Sequence, residues 1–166
     1  MASTFWRRNV LVLAAFLAAF GLDQVSKWLI LNVLMQPPRL IELTAFFNLT
    51  LGFNEGASFG MLGGLMEGRP LAMAGLTGLI TAAILGAAFR STRRLECVAL
   101  GLIAGGASGN ILDRVRQGAV TDFLDVYWRG WHWPTFNLAD VTITLGAALL
   151  ILAWINERRS RMPAHG

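Results

Sequence analysis

Asp122, in "AVTDF", and Asp140, in "FNLAD", each stand at the edge of an apolar run. Two carboxylates brought to one water–membrane boundary cannot both ionise cheaply. One pKa rises, the other falls, and a proton is shared. Such a pair can hydrolyse a peptide bond. One acid acts as general base on water, and the other gives a proton to the carbonyl or the leaving amine. The chain offers little else for hydrolysis. Cys97 is the single cysteine, and His132 has no nucleophile in a recognisable arrangement. His165 lies in the terminal tail, and Ser58 and Ser108 have no nearby base in sequence. Neither an HExxH metal motif nor a G-x-x-x-x-G-K-[ST] phosphate loop occurs.

Other polar residues need a reason to sit in apolar surroundings. Asp23 and Lys27 are four apart on one helix face, acid first, the favoured order for an ion pair. Charges near the bilayer centre cost at least about 2.5–3.5 kcal/mol, so such residues face a polar cavity or a partner. A self-neutralising structural pair and a polar site shared with later segments both fit. Asn110, Asp113 and Arg114 close a glycine-rich run, "GNILDR". Asn110 and Arg114 share a face if the helix continues, and an amide one turn inside the run needs hydrogen-bond partners. Asp113 is placed to pair with a basic group. Asn137 lies one turn before Asp140, where the positive end of a helix dipole favours a carboxylate. Asp125 is expected to be solvated.

The elements that position these residues follow from composition. The chain has 166 residues, 55% hydrophobic and 14% charged, and its mean hydropathy is +0.54. A soluble domain carries about 25% charged residues, so the reading is a single integral membrane domain. The net charge of +4 does not imply nucleic acid, because the arginines sit in short clusters between apolar runs. Spans of about 20 apolar residues are expected at 9–34, 70–89, 95–112 and 136–155. Arg7-Arg8 and the run after it look like a secretory signal peptide. The apolar character resumes in "WLILNVLM" with no clear cleavage site, so the segment reads as a retained span. Arg7, Arg8, Arg90, Arg93, Arg94, Arg158, Arg159 and Arg161 then share one side, which is expected to be cytoplasmic. Segments 35–69 and 113–135 lie outside, the second read as a loop. Gly101, Gly105 and Gly109 form a small-xxx-small stripe for close helix packing. Phe47, Leu49, Leu51 and Phe53 alternate with Asn48, Thr50, Gly52 and Asn54, which predicts a half-buried strand within 38–62 with its polar face over the site. Trp128, Trp131 and Trp133 are expected at the membrane surface. The fold class is therefore an all-α membrane bundle of four transmembrane helices with a small strand subdomain on the periplasmic side.

At these residues the chain resembles the lipoprotein signal peptidase (signal peptidase II) family of membrane aspartyl proteases. The resemblance covers nearly the whole chain. It is carried by Asp23-Gln24-x-x-Lys27, "NEGASFG" at 54–60, "GNILDR" at 109–114, "VTDF" at 120–123 and "FNLAD" at 136–140. Ser58 departs from a more usual alanine. The resemblance implies a bacterial inner-membrane enzyme with both termini cytoplasmic and its site at the periplasmic face. It implies removal of signal peptides from diacylglyceryl prolipoproteins, cut before the lipidated Cys, and inhibition by globomycin. Membrane lipids are expected partners, with no nucleic acid, no metal and no cofactor. Asp122 and Asp140 match the catalytic pair. Asn54, Asn110, Arg114 and Asn137 match residues that line the site or contact substrate. Asp23, Lys27, Gly56 and Asp113 match supporting positions, and Ala139 lies within the "FNLAD" match.

Three rival readings use some of the same residues. In a four-helix transporter, Asp23 would lie in a substrate path, and flux in proteoliposomes would reveal it. In a lipid phosphotransferase, Asp113, Asp122 and Asp140 would hold Mg²⁺, and EDTA would stop it. In a non-enzymatic assembly protein, neutral replacements of the aspartates would be harmless.

Overall fold

The computed structural model describes residues 2–56 and 68–161. The 57–60 part of "NEGASFG", with Ser58, the end of the expected strand region at 57–62, and His165 lie outside these residues. Among the described residues, four helices are long and apolar enough to cross a membrane. They are α1 (Ala2–Leu29, extended by a π-turn Ile30–Leu34), α2 (Pro70–Arg90), α3 (Arg94–Gln117) and α4 (Leu138–Arg161). Pro70 opens α2 at its first turn, where the missing N–H costs nothing. Gly118, at φ 78°, closes α3 in the left-handed conformation.

α3 is the centre of the bundle and packs against the other three helices. Its glycines make this possible. A Cβ on Gly101 would lie 2.7 Å from the Val12 carbonyl, and one on Gly105 would run into the Phe16 carbonyl. The third glycine of the stripe, Gly109, leaves room for the Asp23 carboxylate. Large apolar side chains point outward instead: Leu17, Leu79, Leu145 and Ile151 are all exposed. In lipid an outward leucine loses nothing, and helix association relies on close packing.

At one end of the bundle lies an antiparallel sheet in the order β1 (Ile41–Thr44), β2 (Phe47–Asn54), β3 (Val120–Trp128), β4 (Trp131–His132). It is seated on the helices by buried Ile30, Met35 and Phe123, with Leu49, Leu51 and Leu138 packed around them. A two-residue turn joins β3 to β4, with Arg129 and Gly130 both at positive φ, 49° and 83°. Such mirror-image turns match the twist of a hairpin.

Three expectations are corrected here. The third span was expected to end at 112, but α3 runs to Gln117, so Asp113 and Arg114 are helical. The segment expected as a loop over 113–135 is mostly the end of α3 and the β3–β4 hairpin. The apolar run stops at Leu112, but Lys27 neutralises Asp113 and lets the helix continue. Strict alternation in β2 is also broken. Leu49 faces Leu124 and Gly52 faces Asp122, so a bulge lies between them. Asn48 and Asn54 therefore bond to Asp125 and Asp122, three apart in β3 and so on opposite faces. Only Asn54 of the two faces the site.

Candidate active site

Asp122 and Asp140 approach from different elements, β3 and the first turn of α4, and share a bridging residue. Asn137 donates from its side-chain amide to Asp122 Oδ1 at 2.6 Å and from its backbone N–H to Asp140 Oδ2 at 3.2 Å. Its Oδ1 accepts the Asp140 backbone N–H at 3.1 Å. This is a reciprocal helix cap, with Asn137 before α4 and Asp140 three residues on. The cap fixes the Asp140 rotamer, and its leftover amide hydrogens tie the second carboxylate to the first. Each aspartate has one further amide donor. Asn54 Nδ2 reaches Asp122 Oδ2 at 3.1 Å, and Asn110 Nδ2 reaches Asp140 Oδ1 at 3.0 Å.

Asp122 is 3% exposed. Burial pushes its carboxyl up to about 6, the nearby Asp140 charge adds to the rise, and the Asn54 and Asn137 bonds oppose it. Burial disfavours the charged form, so this acid holds its proton to a higher pH than a solvated aspartate.

Behind the pair lies a charged layer. Lys27 Nζ is 2.8 Å from both Asp23 Oδ2 and Asp113 Oδ2 and donates to Asn110 Oδ1 at 2.9 Å. The other Asp23 oxygen accepts the Ala139 N–H at 2.9 Å. Asp113 Oδ2 also accepts the Thr121 N–H at 3.2 Å. Ala139 immediately precedes Asp140, and Thr121 immediately precedes Asp122. One buried lysine thus holds two carboxylates, and each carboxylate holds the backbone next to one member of the pair. Gln24 closes the layer, donating to Asp23 Oδ2 and Asp113 Oδ1 at 3.2 Å. Both readings of Asp23 and Lys27 hold together, because the pair neutralises itself and also reaches α3 and α4.

The carboxylates open into a cleft of about 870 Å³. Asn54, Gly56, Asn110 and Arg114 line its polar end. Val141, Thr144, Leu145 and Ala148 carry it along one face of α4, opposite Met73 of α2. The buried Arg114 Nε has no hydrogen-bond partner among the described residues, although Nη1 donates to the Asn110 carbonyl at 3.4 Å. One end of the cleft therefore suits a polar backbone and the rest suits an apolar segment.

The structure brings Asn54, Gly56, Asn110, Arg114, Asp122, Asn137 and Asp140 to one cleft or its wall. Asp23, Lys27, Asp113 and Ala139 lie in the layer behind. Asp125 corrects the sequence reading: it is 4% exposed, not solvated. Asn48 Nδ2 donates to it at 3.1 Å and His132 Nδ1 lies 2.8 Å away. The β3–β4 turn doubles the chain back and covers it, placing His132 in stacked contact with Tyr127. Cys97 is buried at the opposite end of α3 against Val12 and Ala88. Its 13-residue separation from Asn110 is about 20 Å of helix. Trp128 and Trp131 are exposed, while Trp133 makes an edge contact with Trp131 and lines the cleft. Besides Val141, Thr144, Leu145 and Ala148 of the apolar wall, which read as ordinary span residues, three contributors were missed. Thr121 acts through its backbone and leaves no sequence signal. Met73 comes from a span with no polar marker. Gln24 stood beside Asp23 in the quoted motif, and that adjacency was the available signal.

The family described as Signal peptidase (SPase) II matches residues 15–156. A lipoprotein signal peptidase of Rhizorhabdus wittichii is 44% identical over 86% of this chain and 84% of its own. One from Geobacter sulfurreducens is 38% identical over 90% and 94%. A bacterial membrane enzyme solved by the in meso method at 2.3 Å resolution superposes with a TM-score of 0.78 at 28% identity, covering 93% of each chain. With a family match over most of its length and a membrane-enzyme fold around paired carboxylates, the chain belongs to the signal peptidase II family of membrane proteases.

Proposed function

We propose that Asp122 and Asp140 are the catalytic pair with which this signal peptidase removes signal peptides from diacylglyceryl-modified prolipoproteins, cutting before the lipidated cysteine. The observation that carries this reading is the Asn137 bridge, which holds two carboxylates from different elements at the mouth of one cleft. Burial pushes the Asp122 carboxyl up to about 6, and to this acid we assign the proton that the reaction donates. Asp140, at the positive end of the α4 dipole, takes a proton from water, whose oxygen attacks the scissile carbonyl. Asp122 gives its proton to the carbonyl oxygen. Collapse of the tetrahedral intermediate then moves a proton to the leaving amine. Arg114 and Asn54 sit beside the reacting carbonyl, and the apolar run along α4 holds the membrane-embedded part of the substrate. Gly56 lines the polar end of the cleft without a side chain. Asp23, Lys27, Asp113 and Ala139 position the pair.

The same reading places the protein in the bacterial inner membrane, with termini in the cytoplasm and the cleft at the periplasmic face. Globomycin-type cyclic peptides would compete for the cleft. The chemistry uses the chain's own carboxylates and water. The test is cleavage of a purified diacylglyceryl prolipoprotein. Product beginning at the lipidated cysteine, formed in EDTA and blocked by globomycin, is expected. Sensitivity to EDTA would instead point to the metal-dependent rival.

A further inference from the structure

A second opening, of about 350 Å³, lies between α1 and α3 and shares no lining residue with the cleft. Its floor is Lys27 and Asp113. Its walls include Val25 and Trp28, each 58% exposed, and Leu31. Arg116 lies at the rim, one residue before the end of α3. These parts do not match an ordinary lipid-facing surface. Walls of this kind suit an acyl chain, but a charged floor and rim do not.

Lys27 pairs with both Asp113 and Asp23 at 2.8 Å, so the floor offers no spare positive charge, and Arg116 is the cation of the lining left to meet a headgroup. Arg116 is exposed and makes no hydrogen bond or ion pair with the other described residues. A guanidinium presents a planar fork that matches phosphate oxygens. The tryptophan of the facing helix, Trp28, belongs at headgroup depth, the depth at which a phospholipid carries its phosphate.

We propose that this groove binds an anionic glycerophospholipid, with its phosphate on Arg116 and an acyl chain along Val25, Trp28 and Leu31. A soluble phosphate would use the arginine and leave the walls uncovered, so the combination selects a lipid. The proposal rests on the reading that this end of the bundle lies at a membrane surface, but it does not depend on which residues are catalytic. The floor of the groove is the back of the charged layer. An occupant therefore covers Lys27 and Asp113 on the side away from Asp122 and Asp140.

The test is native mass spectrometry of the detergent-purified full chain, titrated with phosphatidylglycerol or phosphatidylcholine. Wild type should bind phosphatidylglycerol more tightly. Arg116→Gln should weaken that binding about fivefold, while Arg129→Gln, which removes an equally exposed charge on the β3–β4 turn, should leave it unchanged. Excess glycerol phosphate should not displace the lipid. Equal binding of the two lipids, an unaffected Arg116→Gln, or equal loss in Arg129→Gln would overturn the proposal. Displacement by glycerol phosphate would reduce it to a soluble-anion site and would likewise overturn the lipid assignment. Cleavage is not the readout, so failure here leaves the catalytic reading untouched.

Discussion

Asn137 links the two aspartates, and the consequences of losing either acid differ from those of losing a neighbour. Asp122→Asn and Asp140→Asn should each lower single-turnover cleavage by about 10²–10⁴-fold at matched folded protein, because general acid–base groups contribute that much. The double variant should be little worse than either single one, since groups acting as a unit are not additive. Substantial residual rate in Asp122→Asn, with none in a stable Asp113→Asn, would move the assignment to Asp113. The Asp122 carboxyl, pushed up to about 6, gives a signed pH dependence. If its proton is the one donated, kcat/KM falls as pH rises through about 6, because that profile reports groups of the free enzyme. A rate that instead rises through this range would make Asp122 the base. Stability runs the same way. The folded-state value lies above the ordinary aspartate value of 3.8, so the contribution of the proton is complete below that pH and is lost as pH rises through about 6. Wild type should therefore gain thermal stability relative to Asp122→Asn between pH 7.5 and 5. Cys97→Ala should cleave near normally, because the thiol is buried at the far end of α3. At this scale much was legible. A carboxylate or amide at the mouth of an apolar run has few structural excuses, which singled out Asn110, Asp122, Asn137 and Asp140. Asp125 was not legible, because its burial depends on a bulge in one strand and a turn after another.

Among the elements, α3 carries the architecture and the charged layer transmits it. Lys27 compensates two carboxylates with almost no solvent to replace it, being itself 3% exposed. Breaking a buried pair by removing one partner costs about 3–5 kcal/mol, so Lys27→Met should reduce the yield of folded protein sharply. Combining it with Asp113→Asn should recover part of that loss, because one of the stranded charges is then gone. Asp113→Asn alone should keep partial turnover and lose stability, since an amide oxygen can still accept the Thr121 N–H. Thermal unfolding in detergent with parallel cleavage rates separates these cases. If Lys27→Met folds as well as wild type, the layer is not held by its charge. The spans were legible from apolar length, and the glycine stripe from its spacing of four. The sheet was legible only in part, because alternation in Phe47–Asn54 announces a strand but not its bulge or its partner. The end of α3 was hidden for a different reason. Its last residues are polar, and what keeps them helical is a lysine from α1, far away in sequence.

On the proposed reading, the molecule stores its acids where a membrane substrate presents a hydrolysable bond. A signal helix and a lipid anchor both lie in the bilayer, so the peptide between them is confined near the surface, and water must be met there. The carboxylates, the sheet and the tryptophan hairpin all gather at one end of the bundle, and the arginine clusters of the chain termini and the α2–α3 connection at the other. That opposition allows the orientation to be tested directly. Eight arginines flank the helices at the far end: Arg7, Arg8, Arg90, Arg93, Arg94, Arg158, Arg159 and Arg161. The site end carries Lys27, Arg39, Arg69, Arg114, Arg116 and Arg129. Lys27 is buried in its carboxylate layer and Arg114 lines the cleft, so neither acts as a loop charge. The remaining bias is modest in number, but the far-end arginines lie in short segments at the ends of spans, where the positive-inside rule is strongest. Alkaline phosphatase fused after Arg161 should therefore be inactive, and fused after Gly130, in the β3–β4 turn, active. A cytoplasmic reporter should give the opposite pattern. Activity after Arg161 with none after Gly130 would turn the bundle over. It would place Asp122 and Asp140 where an exported prolipoprotein never brings its cleavage site, and the proposed substrate could not stand.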